Sequence, residues 1–303
     1  MKHNTKIALA AIFCCLLWSS AFVGIKIGLE YTDPIRYASI RFIISGLIVM
    51  PFCSELKNYW KYVKGSWKFL IFLALLQTTF HYTMYYIGIG MVEGALAAIT
   101  VGSTPLFVAI TSHFMMGNDK MTWSKVLTII CGLSGVTLVA VGRSLGQENA
   151  NVQILGVVML LITNIAGSFN NILVAKEKKN IPPLIISSFS MLVGGIGMFL
   201  LSIPIEGMID FDPRPTEYYV SLAWLTFVSA AGVSVWTILL KKPGISVSKL
   251  NFWKFLIPVS GALLSWSFLP EEPNLISIAG IIIIGTSLIA LNLHNREANT
   301  SKN

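Results

Sequence analysis

The sequence predicts an all-α integral membrane protein, with ten transmembrane helices in two inverted five-helix repeats around a central cavity. Three observations predict it. The 303-residue chain is 54% hydrophobic and 12% charged with mean hydropathy +0.72, values that suit a polytopic membrane protein and not a single water-soluble core. Apolar runs of about twenty residues, enough to cross a ~30 Å hydrocarbon core at ~1.5 Å per residue, recur ten times. Stretches of the second half also align with stretches of the first.

The first run, 7–29, follows Lys2 and Lys6 and contains Ser19-Ser20-Ala21, as a signal peptide might be built, but it continues to Leu29 and is expected to be retained. The next are 34–53 and 68–90. The fourth, 94–116, is interrupted near its middle by Pro105, which removes a backbone donor and disturbs the carbonyl four residues earlier, so it needs neighbours or a cavity. The fifth and sixth, 124–142 and 152–175, enclose a short connection. Then come 183–205, 217–240, 246–269 and 273–293.

Orientation follows from charge. Connections on the side of the N-terminus hold Lys2, Lys6, Lys57, Lys61, Lys64, Lys68, Lys120, Lys125, Lys176, Lys178, Lys179, Lys241, Lys242, Lys249, Arg296 and Lys302. The other side has just Arg143 and Arg214, and most of the acids, including Asp210, Asp212, Glu271 and Glu272. By the positive-inside rule both termini are expected in the cytoplasm, with the chain in the cytoplasmic (plasma) membrane. The same rule accounts for the net charge of +8, so no nucleic-acid partner is expected. Cys14, Cys15, Cys53 and Cys131 have no metal-ligand spacing and read as small buried hydrophobes; no metal or cofactor is expected.

The two halves align with Pro105 opposite Pro258, Ser112 opposite Ser265 and Gly132 opposite Gly285, and with Pro34 near Pro182. Five spans in each half make the second repeat enter with opposite polarity. The expected repeats are 7–142 and 152–293.

Three stretches, LLWSSAFVGIKIGL followed by Arg41-Phe42, ALAAITVGSTPLFVAI, and IPVSGALLSWSFLPEEP followed by Gly280, together resemble the EamA branch of the drug/metabolite transporter superfamily. The resemblance covers nearly the whole chain. It departs from the family pattern at Asp119, where the first repeat usually has Glu, and at Lys254, uncommon in the second proline helix. It implies ten helices, a cavity between the repeats, and alternating access for small metabolites, often as efflux.

Polar stripes at helical spacing mark the expected lining, because polar groups are costly against lipid. They are Trp18, Phe22 and Lys26; Gln77, His81 and Tyr85; Thr100, Thr104, Phe107 and Thr111; Asn164, Ser168 and Asn171; and Asn251, Lys254, Pro258 and Ser265. Interhelical hydrogen bonding is the other reading of each such group. Arg41 lies about two turns into its helix, so a partner is expected for it; Pro105, Pro258 and Arg41 are assigned structural or gating roles. Lys26 and Lys254 have two readings, contact with cargo or snorkelling of the ammonium toward the nearer surface. For His81 the alternatives are proton coupling or a histidine held by Tyr82, Tyr85 or a backbone carbonyl. Trp60, Tyr62, Trp67, Tyr218 and Tyr219 are expected in interfacial belts.

No Asp or Glu lies well inside a span, which disfavours cationic cargo. The expected function is a secondary transporter exporting small polar metabolites such as amino acids or related carboxylates, with protons as candidate coupling ion and a monomer or homodimer as the unit. The alternative is an integral-membrane enzyme acting on a lipid or peptide, for which neither H-E-x-x-H nor G-x-S-x-G is present.

Overall fold

The structure is a computed structural model and describes residues 2–54, 56–116, 121–144, 149–207 and 212–300. Asp119, Lys120, Asp210 and Lys302 lie outside them. The described residues form ten helices. Helix α1 is Lys2–Leu29, and α2 is Pro34–Val49, closed by a 3-10 turn at Met50–Phe52 where Pro51 cannot extend the helical ladder. Helix α3 comprises Tyr59–Ala74, a π-turn at Leu75–Phe80 and His81–Met91. Helix α4 is Gly94–Gly102 and Thr104–Met115; α5 is Trp123–Ser144, α6 is Ala150–Ala175 and α7 is Pro183–Glu206. Helix α8 comprises Thr216–Val228, a π-turn at Ser229–Val233 and Ser234–Lys241. Helix α9 comprises Val247–Phe252, a 3-10 turn at Trp253–Phe255 and Leu256–Phe268, and α10 is Leu275–Thr300.

Seven helical segments are each long and apolar enough to cross a membrane, in α1, α2, α4, α5, α6, α7 and α8, and α10 adds the shorter apolar stretch Leu275–Leu291. The other two, α3 and α9, are interrupted. Helix α3 begins at Tyr59, well ahead of the expected 68, because a short amphipathic segment precedes the span. Tyr59 and Val63 bury one face of it, Trp60, Lys61 and Lys64 leave the other exposed, and non-helical Ser66 (φ −138°, ψ 21°) turns it into the span. Two expectations need correction. Tyr218 is buried against Tyr37, 5.4 Å between ring centroids, and so is no belt residue; Cys131 is exposed.

The helices pair as a two-fold relation between inverted halves requires. Helix α2 packs on α7, α4 on α9 and α5 on α10, each on its own counterpart, while α1 packs on α8 and α3 on α6. Small residues bring the central pair together. A Cβ on Gly46 would lie 2.6 Å from the Leu192 backbone nitrogen, and one on Gly195 would lie 2.9 Å from that of Ile43. The third helix of each half carries the π-turn, so the irregular backbone repeats as well.

Carboxylates close the N-termini of α2 and α4. Glu206 accepts from Ile35 N (2.6 Å) and Arg36 N (2.8 Å), and Glu271 accepts from Gly94 N (2.6 Å) and Ala95 N (3.0 Å). Each places negative charge on otherwise unpaired N–H groups at the positive end of a helix. Gly46→Ala should cost about 1–3 kcal/mol of stability by forcing α2 from α7, whereas Gly65→Ala, where a Cβ meets nothing within 4 Å, should be neutral or stabilising. Thermal unfolding in detergent, followed by size-exclusion, reads both; equal melting temperatures would remove the crossing from the account.

Candidate functional site

The site begins where backbone ladders break. Pro105 has no N–H, so the Val101 carbonyl loses its helical donor; the Thr104 hydroxyl takes it at 2.5 Å and lies 2.7 Å from Asn164 Oδ1. Asn164 Nδ2 in turn donates to the Thr100 carbonyl (2.9 Å) and to Ser103 Oγ (3.1 Å). One asparagine on α6 thus repairs the gap in α4. Helix α9 loosens at the equivalent place, in the 3-10 turn before Pro258, and Pro258 packs where Gly102 leaves room.

Beside these breaks lies a two-lobed cavity of about 100 and 80 Å³. Trp18, His81, Tyr82, Gly167 and Lys254 line both lobes. The first lobe adds Phe22, Arg41, Tyr85, Thr104, Thr163 and Asn164; the second adds Gln77, Asn170, Asn171, Trp236 and Thr237. Helices from both repeats therefore share one space.

The structure brings Trp18, Phe22, Gln77, His81, Tyr85, Thr104, Asn164, Asn171 and Lys254 to this lining and keeps Lys26, Thr100, Phe107, Thr111, Ser168, Asn251, Pro258 and Ser265 out of it. The Thr100 hydroxyl bonds back to the Leu96 carbonyl (2.8 Å) and the Ser168 hydroxyl to the Asn164 carbonyl (2.6 Å), so both satisfy their own helices. Lys26 donates to the Val92 carbonyl (2.8 Å) and reaches that of Ile89 (3.4 Å), at the C-terminal end of α3. Its positive charge there complements the helix dipole. Thr163, Asn170, Trp236 and Thr237 were not among the expected residues. Applying the stripe of α3 to its counterpart α8 was the available signal for Trp236 and Thr237.

The cations differ in their partners. Arg41 is buried and bonded on two of its three nitrogens: its Nε donates to the Leu225 carbonyl (3.0 Å) and Ser229 Oγ (2.6 Å), and Nη1 donates to the Tyr86 hydroxyl (2.5 Å). The expected partner is a set of neutral acceptors, two of them at the π-turn of α8. Lys254 has no hydrogen bond or ion pair among the described residues. Its ammonium sits 5.4 Å from the Trp18 ring centroid and 5.0 Å from that of Trp236, two rings in edge contact with each other. His81 bonds the Thr163 backbone and stacks on Tyr85, while its Nδ1 has no donor; Gln77 Oε1 and Asn170 Oδ1 share that condition. Among the described residues, no carboxylate lines either lobe.

Both ends of the bundle are tied. Opposite the N-terminus, Arg143 pairs with Glu93 and donates to Ser277 Oγ (2.9 Å); burial raises the Glu93 carboxyl while the guanidinium lowers it. On the N-terminal side, buried Glu177 pairs with Lys241 and accepts from Ile181 N (3.0 Å), and Lys176 donates to the Met115 carbonyl (2.8 Å).

The family model described as "EamA-like transporter family" matches residues 5–141 and 154–293. The chain belongs to the EamA-like transporter family. This EamA-like chain is thus a multi-pass membrane transporter of the drug/metabolite transporter superfamily. It is 24% identical to the uncharacterized transporter YvbV of Bacillus subtilis (strain 168) over 97% of this chain and 93% of that one. It is 22% identical to a WAT1-related chloroplastic protein of Arabidopsis thaliana, over 92% and 66% of the respective chains. A solved crystal structure shares the EamA-like fold with a TM-score of 0.71 at 16% identity, over 98% of this chain and 99% of that one.

In this EamA-like bundle, Arg41→Lys should lower stability by about 2–3 kcal/mol, since one ammonium cannot reach acceptors on both α3 and α8. Melting temperature in detergent checks it; an unchanged value would mean that the three bonds hold nothing together.

Proposed function

We propose that this transporter exports small polar metabolites carrying a carboxylate, such as amino acids or related carboxylates, by alternating access. Lys254 carries the reading. It is a cavity-lining lysine with no protein counter-charge among the described residues, in a lining without carboxylates, so an anionic group is the partner that its charged form lacks. Gln77 Oε1, Asn170 Oδ1 and His81 Nδ1 offer acceptors to amine or hydroxyl donors of the same cargo, and the rings of Trp18, Tyr82, Tyr85 and Trp236 offer apolar walls. Thr104, Asn164 and Asn171 complete the proposed lining. Thr104 and Asn164 are occupied with α4 and with each other, and Asn171 donates to Asn251 Oδ1 (2.9 Å) and accepts from Trp236 Nε1 (3.2 Å), which makes all three positioning groups.

The lysine-rich connections support cytoplasmic termini in the cytoplasmic membrane, and the aligned halves support repeats at 7–142 and 152–293. Efflux is the direction that the family resemblance implies. A cavity built within one chain makes a monomer sufficient. Pro105 and Pro258 are the proposed loosening points of α4 and α9, and Arg41 holds α2 to α3 and α8 while they shift.

Purified protein in liposomes, tested with labelled L-alanine, L-serine, lactate, succinate, choline and glucose, should move at least one carboxylate above empty vesicles and leave choline behind. Choline flux without carboxylate flux would overturn the reading. Lys254→Gln should slow the transported carboxylate about tenfold, the loss of roughly one charge-assisted hydrogen bond.

A further inference from the structure

Two cations share this cavity and are held in opposite ways. Arg41 has three neutral acceptors around it, and arginine remains charged in proteins, so it is a fixed part of the frame. Lys254 has two aromatic faces and no acceptor, and lysine can give up its proton. Lys254 is part-buried in the cavity wall, and an ammonium drawn from bulk water without a counter-charge is costly; release of the proton or acquisition of an anion relieves it.

We infer that Lys254 is the coupling group of the transporter, taking up one proton with each carboxylate that binds and surrendering both on release. The inference rests on the carboxylate reading above and adds to it the coupled ion and the residue that carries it. The empty site holds a neutral amine between Trp18 and Trp236. A carboxylate arrives, one proton is taken from water, and the site becomes an ammonium–carboxylate pair. Charge balances at each stage, because amine, proton and carboxylate on one side equal the pair on the other. With a cargo whose one charge is a carboxylate, such as lactate, the lysine thus alternates between two neutral arrangements, and neither takes an isolated charge into the low-dielectric interior; an amino acid adds its own ammonium, for which Gln77 Oε1 and Asn170 Oδ1 are free acceptors.

The surroundings favour this assignment. Helix α1 presents the thiols of Cys14 and Cys15 to Lys254, α2 presents Arg41, and α3 presents His81, Tyr82 and Tyr85. Helices α4, α6 and α8 bring only uncharged residues to the two lobes, and α10 brings none. No carboxylate competes for the ammonium. His81 is the less suited carrier, because its bond to the Thr163 backbone fixes one side of the ring and a charge on it would stand beside those of Arg41 and Lys254.

The test uses the full chain in weakly buffered liposomes enclosing a pH-indicating dye, with L-alanine, L-serine, lactate and succinate supplied in turn. Wild type should move close to one proton, in the same direction, with each carboxylate group neutralised at Lys254. For 1:1 coupling, a gradient of one pH unit should drive about tenfold accumulation of a monocarboxylate. Lys254→Arg keeps a cation but not an exchangeable proton, so any flux it retains should lose proton movement; Lys254→Met should lose both. Carboxylate flux in wild type without proton movement, or undiminished proton coupling in Lys254→Arg, would overturn the inference and leave the carboxylate reading intact. Absence of flux for all four compounds would overturn both. The wild-type ratio decides the matter even if the arginine variant does not fold.

Discussion

Inside a bilayer every backbone N–H and C=O needs a partner within the protein, and the rest of this structure depends on how that demand is met. Unbroken helices meet it alone. The breaks in α4 and α9 and the π-turns in α3 and α8 cannot, and they lie where other helices surround them. Asn164 and Thr104 serve the gap made by Pro105, Arg41 and Ser45 serve carbonyls of α8 near its π-turn, and Thr79 within the π-turn of α3 donates to a carbonyl of α7. Polar side chains enter the interior to repair irregular backbone, and a wettable cavity forms among them.

Much of this was legible in the sequence because the bilayer imposes lengths and periods. The ten apolar runs and the position of the Pro105 break survive in the fold, and Pro258 follows an irregular turn of its own in α9. The start of α3 did not read correctly, since the amphipathic segment from Tyr59 is too polar to count as span and still helical. Within the cavity, spacing identified faces but not individual bonds. Thr100 and Thr104 share a stripe and both hydroxyls meet a carbonyl of their own preceding turn, yet only that of Thr104 also lies against Asn164. Lys26 and Lys254 look alike as intramembrane cations. Only the fold shows that the former meets the carbonyls ending α3 while the latter meets aromatic faces.

The inverted halves share a scaffold and differ in what they place on it. The Gly46–Leu192 and Gly195–Ile43 approaches are near mirror statements of one crossing, and the paired π-turns are another. At the paired prolines the likeness ends. The break in α4 is lined by threonine and asparagine bonded to each other, and that in α9 by a lysine without an acceptor. Duplication accounts for the shared scaffold, and divergence at these few positions gives the cavity its chemical direction.

The contact between Trp18 and Trp236, 5.0 Å between centroids at 64°, also gives the cavity optical properties. Two indoles this close interact as transition dipoles, and an ammonium over both perturbs their excited states. Trp60, Trp67, Trp123 and Trp224 are exposed on the surface, so they report on lipid or detergent instead. A near-ultraviolet circular dichroism difference between the occupied and empty cavity therefore carries a contribution from this pair without any attached label.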